Sequence, residues 1–237
     1  MSRLGKFYGV GVGPGDPELM TTKALNVLKS VDVICAPKSK KDKESIALSI
    51  VKEALNRDFE VISPVFPMTK DIDAIEEYWD RAAEMISSEL EKGRSVAFVT
   101  IGDPMFYSTY VYVLERMNER IPDLKIETIP GVNSISACLA ELNIPLAGRD
   151  ERMAILPAAY GLEELDSLSK TLDIVVLMKV SRSFDEIVKR LDELSLKDDA
   201  IFVSGCGTKA FFSSDIGSML GKKIDYLSMI IIRGRKK

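Results

Sequence analysis

"FYGVGVGPGDPEL", Phe7 to Leu19, decides how this chain is read. An apolar run carries glycines at 9, 11, 13 and 15, and a short acidic stretch then opens what reads as a helix. A strand that empties into a glycine-rich turn and a helix opens many nucleotide-binding α/β folds. The spacing here excludes the two familiar versions. A dinucleotide fingerprint needs G-x-G-x-x-G, but the last position holds Pro14 when counted from Gly9 and Asp16 when counted from Gly11. A P-loop must end in Gly-Lys-Ser/Thr, which "GDPELMTTK" (15–23) lacks. Asp16 and Glu18 would also repel a phosphate at the helix N-terminus. The alternating glycines suit close backbone approach by an uncharged or cationic ligand, with a carboxylate beside it.

Outward from that loop, strand and helix signals alternate. Strands are predicted over 6–13, 31–36, 59–66, 95–104 and 124–131, and helices over 21–30, 44–55, 71–93, 107–117 and 133–143. Thr21 or Thr22 serves as an N-cap, and Gly93 stops the long helix. Five strands interleaved with helices predict a mostly parallel sheet. "NIPLAGRDER" (143–152) is short and polar and reads as a linker. Beyond it, strands are predicted over 152–158, 173–180, 199–207, 209–214 and 226–234, with helices over 162–171 and 183–194. "KAFFSS" (209–214) follows its predecessor too closely for a helical crossover, so the second sheet should be mixed. The expected division is an N-terminal α/β domain over 1–145 and a C-terminal α/β domain over 150–237.

The composition narrows the chemistry. The chain has 237 residues, 46% of them apolar and 29% charged, with a net charge of −4, so no global basic field draws in nucleic acid. Three scattered cysteines, Cys35, Cys138 and Cys206, argue against a disulfide framework or a zinc site and suit a reducing cytoplasm. No apolar run is long enough for a signal core or a membrane span. With no histidine, acid–base work must fall to Asp, Glu, Tyr, Lys, Cys or the substrate itself, and no metal ligand set is expected.

Two further stretches match the first loop. "TIGDPMFYSTYVYV" (100–113) and "IPGVNSISA" (129–137) put Gly-Asp-Pro and Pro-Gly-Val at the ends of successive strands. Ligands of open α/β sheets bind outside the carboxyl ends of the strands, so the three loops outline one site.

In order and spacing, "GVGPGDPELMTTKAL", "GDPMFYSTYVYV" and "IPGVNSISA" resemble the tetrapyrrole methylases, S-adenosylmethionine-dependent enzymes that modify cobalamin and siroheme precursors. "GDPMFYST" and "APKS" (36–39) look most like members that methylate C-20 of precorrin-2 or cobalt-factor II. Ile101 before Gly102, and Asn133-Ser134 after Pro-Gly-Val, depart from the siroheme branch. The resemblance implies two α/β domains with the active site in the cleft between them, and a homodimer. It implies cofactor contacts from Pro14, Ile101, Gly102, Asp103, Phe106, Asn133, Ser134, Met178 and Gly207. Asp16, Asp103 and Tyr107 are the catalytic candidates for taking the C-20 proton, and Tyr110 is a further phenol in reach. A polycarboxylate tetrapyrrole would meet Asp16, Lys38, Lys40 and Tyr110, with "KSKKDK" (38–43) as a lid and Arg149, Arg152, Lys179 and Arg182 as an opposite wall. Another corrin position, uroporphyrinogen, a protein or RNA methyl acceptor, and a non-catalytic binding module stay open as alternatives.

Overall fold

Alternation of side chains along short apolar strands builds the first half of the molecule. The structure is a computed structural model describing residues 4–40, 44–67, 72–158, 162–207 and 210–234. The chain divides into two compact units, Met1–Ser134 and Ile135–Lys237. In the first, β1 (Phe7–Gly11), α1 (Thr22–Ser30), β2 (Val33–Cys35), α2 (Ile46–Ala54), β3 (Glu60–Ile62), α3 (Ile72–Glu91), β4 (Val96–Thr100), α4 (Tyr110–Arg120) and β5 (Ile126–Ile129) follow in order. All the strand pairs are parallel, in the order β3-β2-β4-β1-β5.

Successive side chains of a strand point to opposite faces, and here both faces are covered. Val10, Ile34, Ala97 and Val99 pack with Ala24 and Leu28 of α1 and Ile50 and Val51 of α2. Phe7, Val33, Val96 and Phe98 pack on the other side with Ile86 and Leu90 of α3 and Tyr110 and Val113 of α4. This is why these strands read as nearly continuous apolar runs. The ends of the helices follow local chemistry. Thr21 Oγ1 accepts from Ala24 N at 3.2 Å and caps α1. Gly93, at φ 81°, lets the chain leave α3.

The strand order creates a switch point. From β1 the chain crosses through α1 to β2 on one side, and from β4 it crosses through α4 to β5 on the other. The two crossover helices lie on opposite faces, so beyond their loops the chain leaves adjacent β1 and β4 toward opposite sides of the sheet.

The second unit takes in α5 (Ser134–Leu142) from Ile135 onward, then β6 (Met153–Pro157), α6 (Leu165–Thr171), β7 (Ile174–Met178), α7 (Phe184–Glu193), β8 (Ala200–Ser204), β9 (Phe211–Ser213) and β10 (Ser228–Arg233). Its sheet runs β6-β7-β10-β8-β9, with β6 and β7 parallel and the remaining pairs antiparallel. Phe184, Ile187, Val188 and Leu191 of α7 supply an apolar face packed on Val175, Leu177, Phe202 and Ile230. The mixed sheet follows the sequence expectation, and β8–β9 is the close antiparallel pair that "KAFFSS" implied.

Two expectations differ from the structure here. Residues 143–152 are fastened to the second unit: Ile144 N donates to Leu139 O at 3.0 Å, and the Arg233 guanidinium donates to Pro145 O and Leu146 O. A polar, Pro- and Gly-containing stretch reads as a linker because the arginine that satisfies its carbonyls lies some ninety positions away. The cysteines also differ. Cys138 on the buried face of α5 and Cys206 after β8 pair as a disulfide, their Cα atoms 4.8 Å apart across 68 residues. Sparse cysteines do not announce such a pair, since only the tertiary fold brings them together. No helix among the described residues is long and apolar enough to cross a membrane.

Candidate functional site: three glycine loops at the switch point

The three loops singled out in the sequence converge on one spot. Gly102 N donates to Gly13 O at 2.8 Å, and Val12 N donates to Thr100 O at 3.0 Å, which zips the β1 loop to the β4 loop. A Cβ built on Gly11 would lie 2.5 Å from Gly102 O and 2.8 Å from Gly131 N. One built on Gly131 would lie 2.1 Å from Gly102 O. Backbone therefore touches backbone where any other residue would insert a methyl group. Gly13 and Gly102 have φ of 82° and 70°, the left-handed region that glycine occupies without strain. The glycines make a knot of three strand ends rather than a phosphate cradle.

Asp103 ties the knot. Its Oδ1 accepts from Met105 N at 2.8 Å and its Oδ2 from Gly131 N at 2.9 Å. Both carboxylate oxygens thus serve backbone donors, one closing the Gly-Asp-Pro turn and one gripping the Pro-Gly-Val loop. Asp16 plays a lesser version of this part, its Oδ1 accepting from Glu18 N at 2.8 Å to cap a short 3-10 turn at Pro17–Leu19. Around the knot, Pro14 is buried, while Ile101, Asp103, Phe106, Asn133 and Ser134 are half-buried. Met105 and Tyr107 stand out at the rim, 58% and 42% exposed. Tyr107 holds φ at 51° and meets Phe106 edge-on at 5.0 Å. A non-glycine residue held there is a recurrent mark of functional loops.

Not every expected contact survives. Tyr110 is fully buried, its hydroxyl 2.8 Å from Thr128 Oγ1 and its ring over β1, where a Cβ on Gly9 would fall 2.1 Å from Tyr110 Cζ. Gly9 exists to admit that ring, so Tyr110 is a core residue and leaves the substrate set. Desolvation also raises its pKa, against a smaller lowering by the Thr128 bond. Lys38 does not sit in a loose lid: its N donates to Pro64 O at 2.9 Å and its carbonyl accepts from Phe66 N at 2.8 Å, which extends the β2–β3 pairing. Lys40 is exposed, and the rest of the lysine run, 41–43, lies outside the described residues. The sequence reading overlooked Ser108, whose Oγ lies 2.9 Å from Thr100 Oγ1 and accepts from Tyr110 N at 3.1 Å, holding the start of α4 to the end of β4. Ser108 falls inside the helix expected over 107–117 but two residues before the observed start of α4 at Tyr110, where a serine side chain competes for backbone groups.

Met178 and Gly207 belong to the second unit, at the ends of β7 and β8, with the start of β10 between them. Lys179 follows Met178 in the left-handed region, at φ 59° and ψ 41°, and its N donates to Ser228 O at 3.1 Å. Surrounding protein lowers the Lys179 pKa by desolvation and raises that of Tyr226, the latter opposed by the Arg182 charge. Lys179, Arg182 and Tyr226 therefore sit at one end of this sheet. Arg152 does not join them: it precedes β6 at the opposite end, where its N donates to Asp173 Oδ2 at 2.8 Å.

Residues 6–216 match the sequence model of the family described as Tetrapyrrole (Corrin/Porphyrin) Methylases. The chain is 38% identical over 240 residues to a protein of Methanocaldococcus jannaschii named probable cobalt-precorrin-2 C(20)-methyltransferase, covering 98% of this chain and 97% of that one. It is 35% identical over 200 residues to the cobalt-precorrin-2 C(20)-methyltransferase of Salmonella typhimurium, covering 84% and 83%. Among solved structures, a cobalt precorrin-4 methyltransferase superposes with a TM-score of 0.70 at 19% identity, covering 96% of this chain and 94% of that one, a likeness of fold. With the loop knot in place and a match that spans both units, this chain belongs to the tetrapyrrole methylase family.

Proposed function

We propose that the protein is an S-adenosylmethionine-dependent C-methyltransferase that methylates C-20 of precorrin-2 or its cobalt-containing counterpart in cobalamin biosynthesis. The observation that carries this reading is the knot of Gly11, Gly102 and Gly131 at the switch point, fastened by Asp103, in a chain of this family. The names of the relatives supply the position methylated.

The residues at the knot fit such a cofactor. Pro14, Ile101, Gly102, Phe106, Asn133 and Ser134 offer apolar surface, backbone and neutral amide and hydroxyl groups, without a basic side chain that would favour a phosphate. At Gly102 an added Cβ would rest in ordinary contact with Asn133 Cα at 3.7 Å, which sets the β4 turn against the residue pair Asn133-Ser134. When bound, S-adenosylmethionine supplies an already activated methyl group. The chain's own task is then to hold the reacting groups in line, to keep water out and to receive one proton. Because both oxygens of Asp103 hold backbone, its part is positioning, and proton acceptance falls to Asp16 or Tyr107 at the rim. On this reading Met178 and Gly207, at the ends of β7 and β8, are assigned further cofactor contacts. Lys38, Lys40 and the Lys179–Arg182 end of the second sheet receive substrate carboxylates. The same reading brings a homodimer working in the cytoplasm.

The test is ligand stabilisation. S-adenosylhomocysteine at about a hundred times its Kd should stabilise the folded state by roughly 2.7 kcal/mol. That raises Tm by several degrees in a chain of this size, on the scale of about 2–4 °C per kcal/mol. NAD and ATP should leave Tm where it was. A rise with NAD and none with S-adenosylhomocysteine would overturn the assignment.

A further inference from the structure

The proposed chemistry leaves the pair Cys138 and Cys206 without a part. Cys138 is fully buried on α5, one helical turn after Ser134, and Cys206 is 3% exposed in the turn between Gly205 and Gly207. Both glycines have left-handed φ, 69° and 78°, so the turn presents the cysteine inward through a backbone that side chains resist. A polar tether runs beside the covalent one: Ala210 N donates to Glu141 Oε1 at 3.2 Å, again between α5 and the segment after β8. The elements joined are the ones to which the cofactor reading assigns work. Ser134 opens α5, and Gly207 adjoins Cys206.

We propose that Cys138 and Cys206 form a reversible disulfide that clamps the Gly205–Gly207 turn to α5, so that the oxidation state of this pair sets how tightly the protein holds its cofactor. The link to the cofactor rests on the function proposed above; the clamp itself does not. A low-molecular-weight disulfide such as oxidised glutathione is the oxidant. The thiolate of Cys206, the less buried residue of the two, attacks one glutathione sulfur and releases a first glutathione thiolate. The thiolate of Cys138 then attacks the Cys206 sulfur of the mixed disulfide and releases the second. Two protein thiols are oxidised, one glutathione disulfide is reduced, and the two protein thiol protons end on the two glutathione thiols. Cys35 stays out of the exchange: it is fully buried in β2, and burial pushes its thiol well above the usual range, which keeps it protonated.

Closing the clamp removes conformations of the turn that would otherwise have to be frozen when a ligand binds, which favours binding. Coupling between two such events is typically at least about 5-fold. By reciprocity a ligand that prefers the closed form makes the pair harder to reduce, and a 5-fold preference shifts its midpoint by about 20 mV.

The experiment equilibrates the full chain in glutathione buffers of graded ratio. At each ratio it counts thiols in the denatured protein, titrates S-adenosylhomocysteine by calorimetry and follows amide exchange. The oxidised protein should show one thiol and the reduced protein three. The oxidised form should bind S-adenosylhomocysteine about 5-fold more tightly or better, and its amides in 134–142 and 203–207 should exchange more slowly. Cys138→Ala and Cys206→Ala should bind as the reduced protein does at every ratio, while Cys35→Ala keeps the full response. Three thiols at every ratio, or the same affinity in both forms, overturns the proposal. Failure of both forms to bind S-adenosylhomocysteine sinks the cofactor assignment instead, and amide exchange then decides the clamp alone: slower exchange on oxidation upholds it and unchanged exchange refutes it.

Discussion

Asp103 shows how much backbone a single carboxylate can hold. Its two oxygens accept from Met105 N and Gly131 N, so it holds one turn closed and draws a second loop against it. Asp103→Asn keeps the shape but replaces one acceptor with an amide nitrogen, which would face a backbone N–H. Leaving such a donor unpaired costs about 1–3 kcal/mol. We expect the affinity for S-adenosylhomocysteine to fall about 10-fold, an energy of roughly 1.4 kcal/mol, with turnover falling in step. Calorimetry paired with steady-state rates reads this directly. A loss of two to four orders of magnitude in turnover with affinity intact, the range for acid–base groups, would instead make Asp103 the base. The sequence placed Asp103 correctly at the end of β4, because Gly-Asp-Pro after an apolar run marks a strand-to-turn junction. It did not distinguish the role, because the donor on Gly131 belongs to another loop. Tyr110 went wrong for a related reason. Tyrosines spaced along a helix look alike in sequence, and only the gap left by Gly9 shows which one points into the core.

At the scale of elements, the loops matter more than the strands they leave. Every strand and helix of the first unit was legible from its apolar run, with ends shifted by a few residues, because a parallel sheet covered on both faces leaves an unmistakable pattern. The contact among Gly11, Gly102 and Gly131 was legible only as three small-residue loops at strand ends. Gly131→Ala tests it. The new methyl would meet Gly102 O and the Gly11 backbone, which have no rotamer to yield. Overpacking of this kind costs about 1–3 kcal/mol or more, which should lower Tm by several degrees and weaken S-adenosylhomocysteine binding. Gly148→Ala is the control, since its Cβ would meet only Glu151 Oε2 at 3.8 Å. Equal behaviour of the two variants in thermal melts and binding would contradict the knot.

For the molecule as a whole, pattern and charge delivered the two-unit α/β plan, with one parallel and one mixed sheet. The contacts that place α5 and residues 143–152 with the second unit were not legible, because they depend on Arg233 and Cys206, remote in sequence. The candidate site follows the same long-range logic: three loops from distant parts of the chain share one edge of a sheet, and the family match, residues 6–216, reaches into both units. The most direct test of that function is the product itself. The purified protein is incubated with S-adenosylmethionine carrying a 13C-labelled methyl group and, in separate reactions, with precorrin-2, its cobalt form and uroporphyrinogen III. The products are read by mass spectrometry and carbon NMR. We predict one labelled methyl per macrocycle, at C-20, on precorrin-2 or its cobalt form, and none on uroporphyrinogen III; label at any other carbon, or on uroporphyrinogen III alone, would contradict the account.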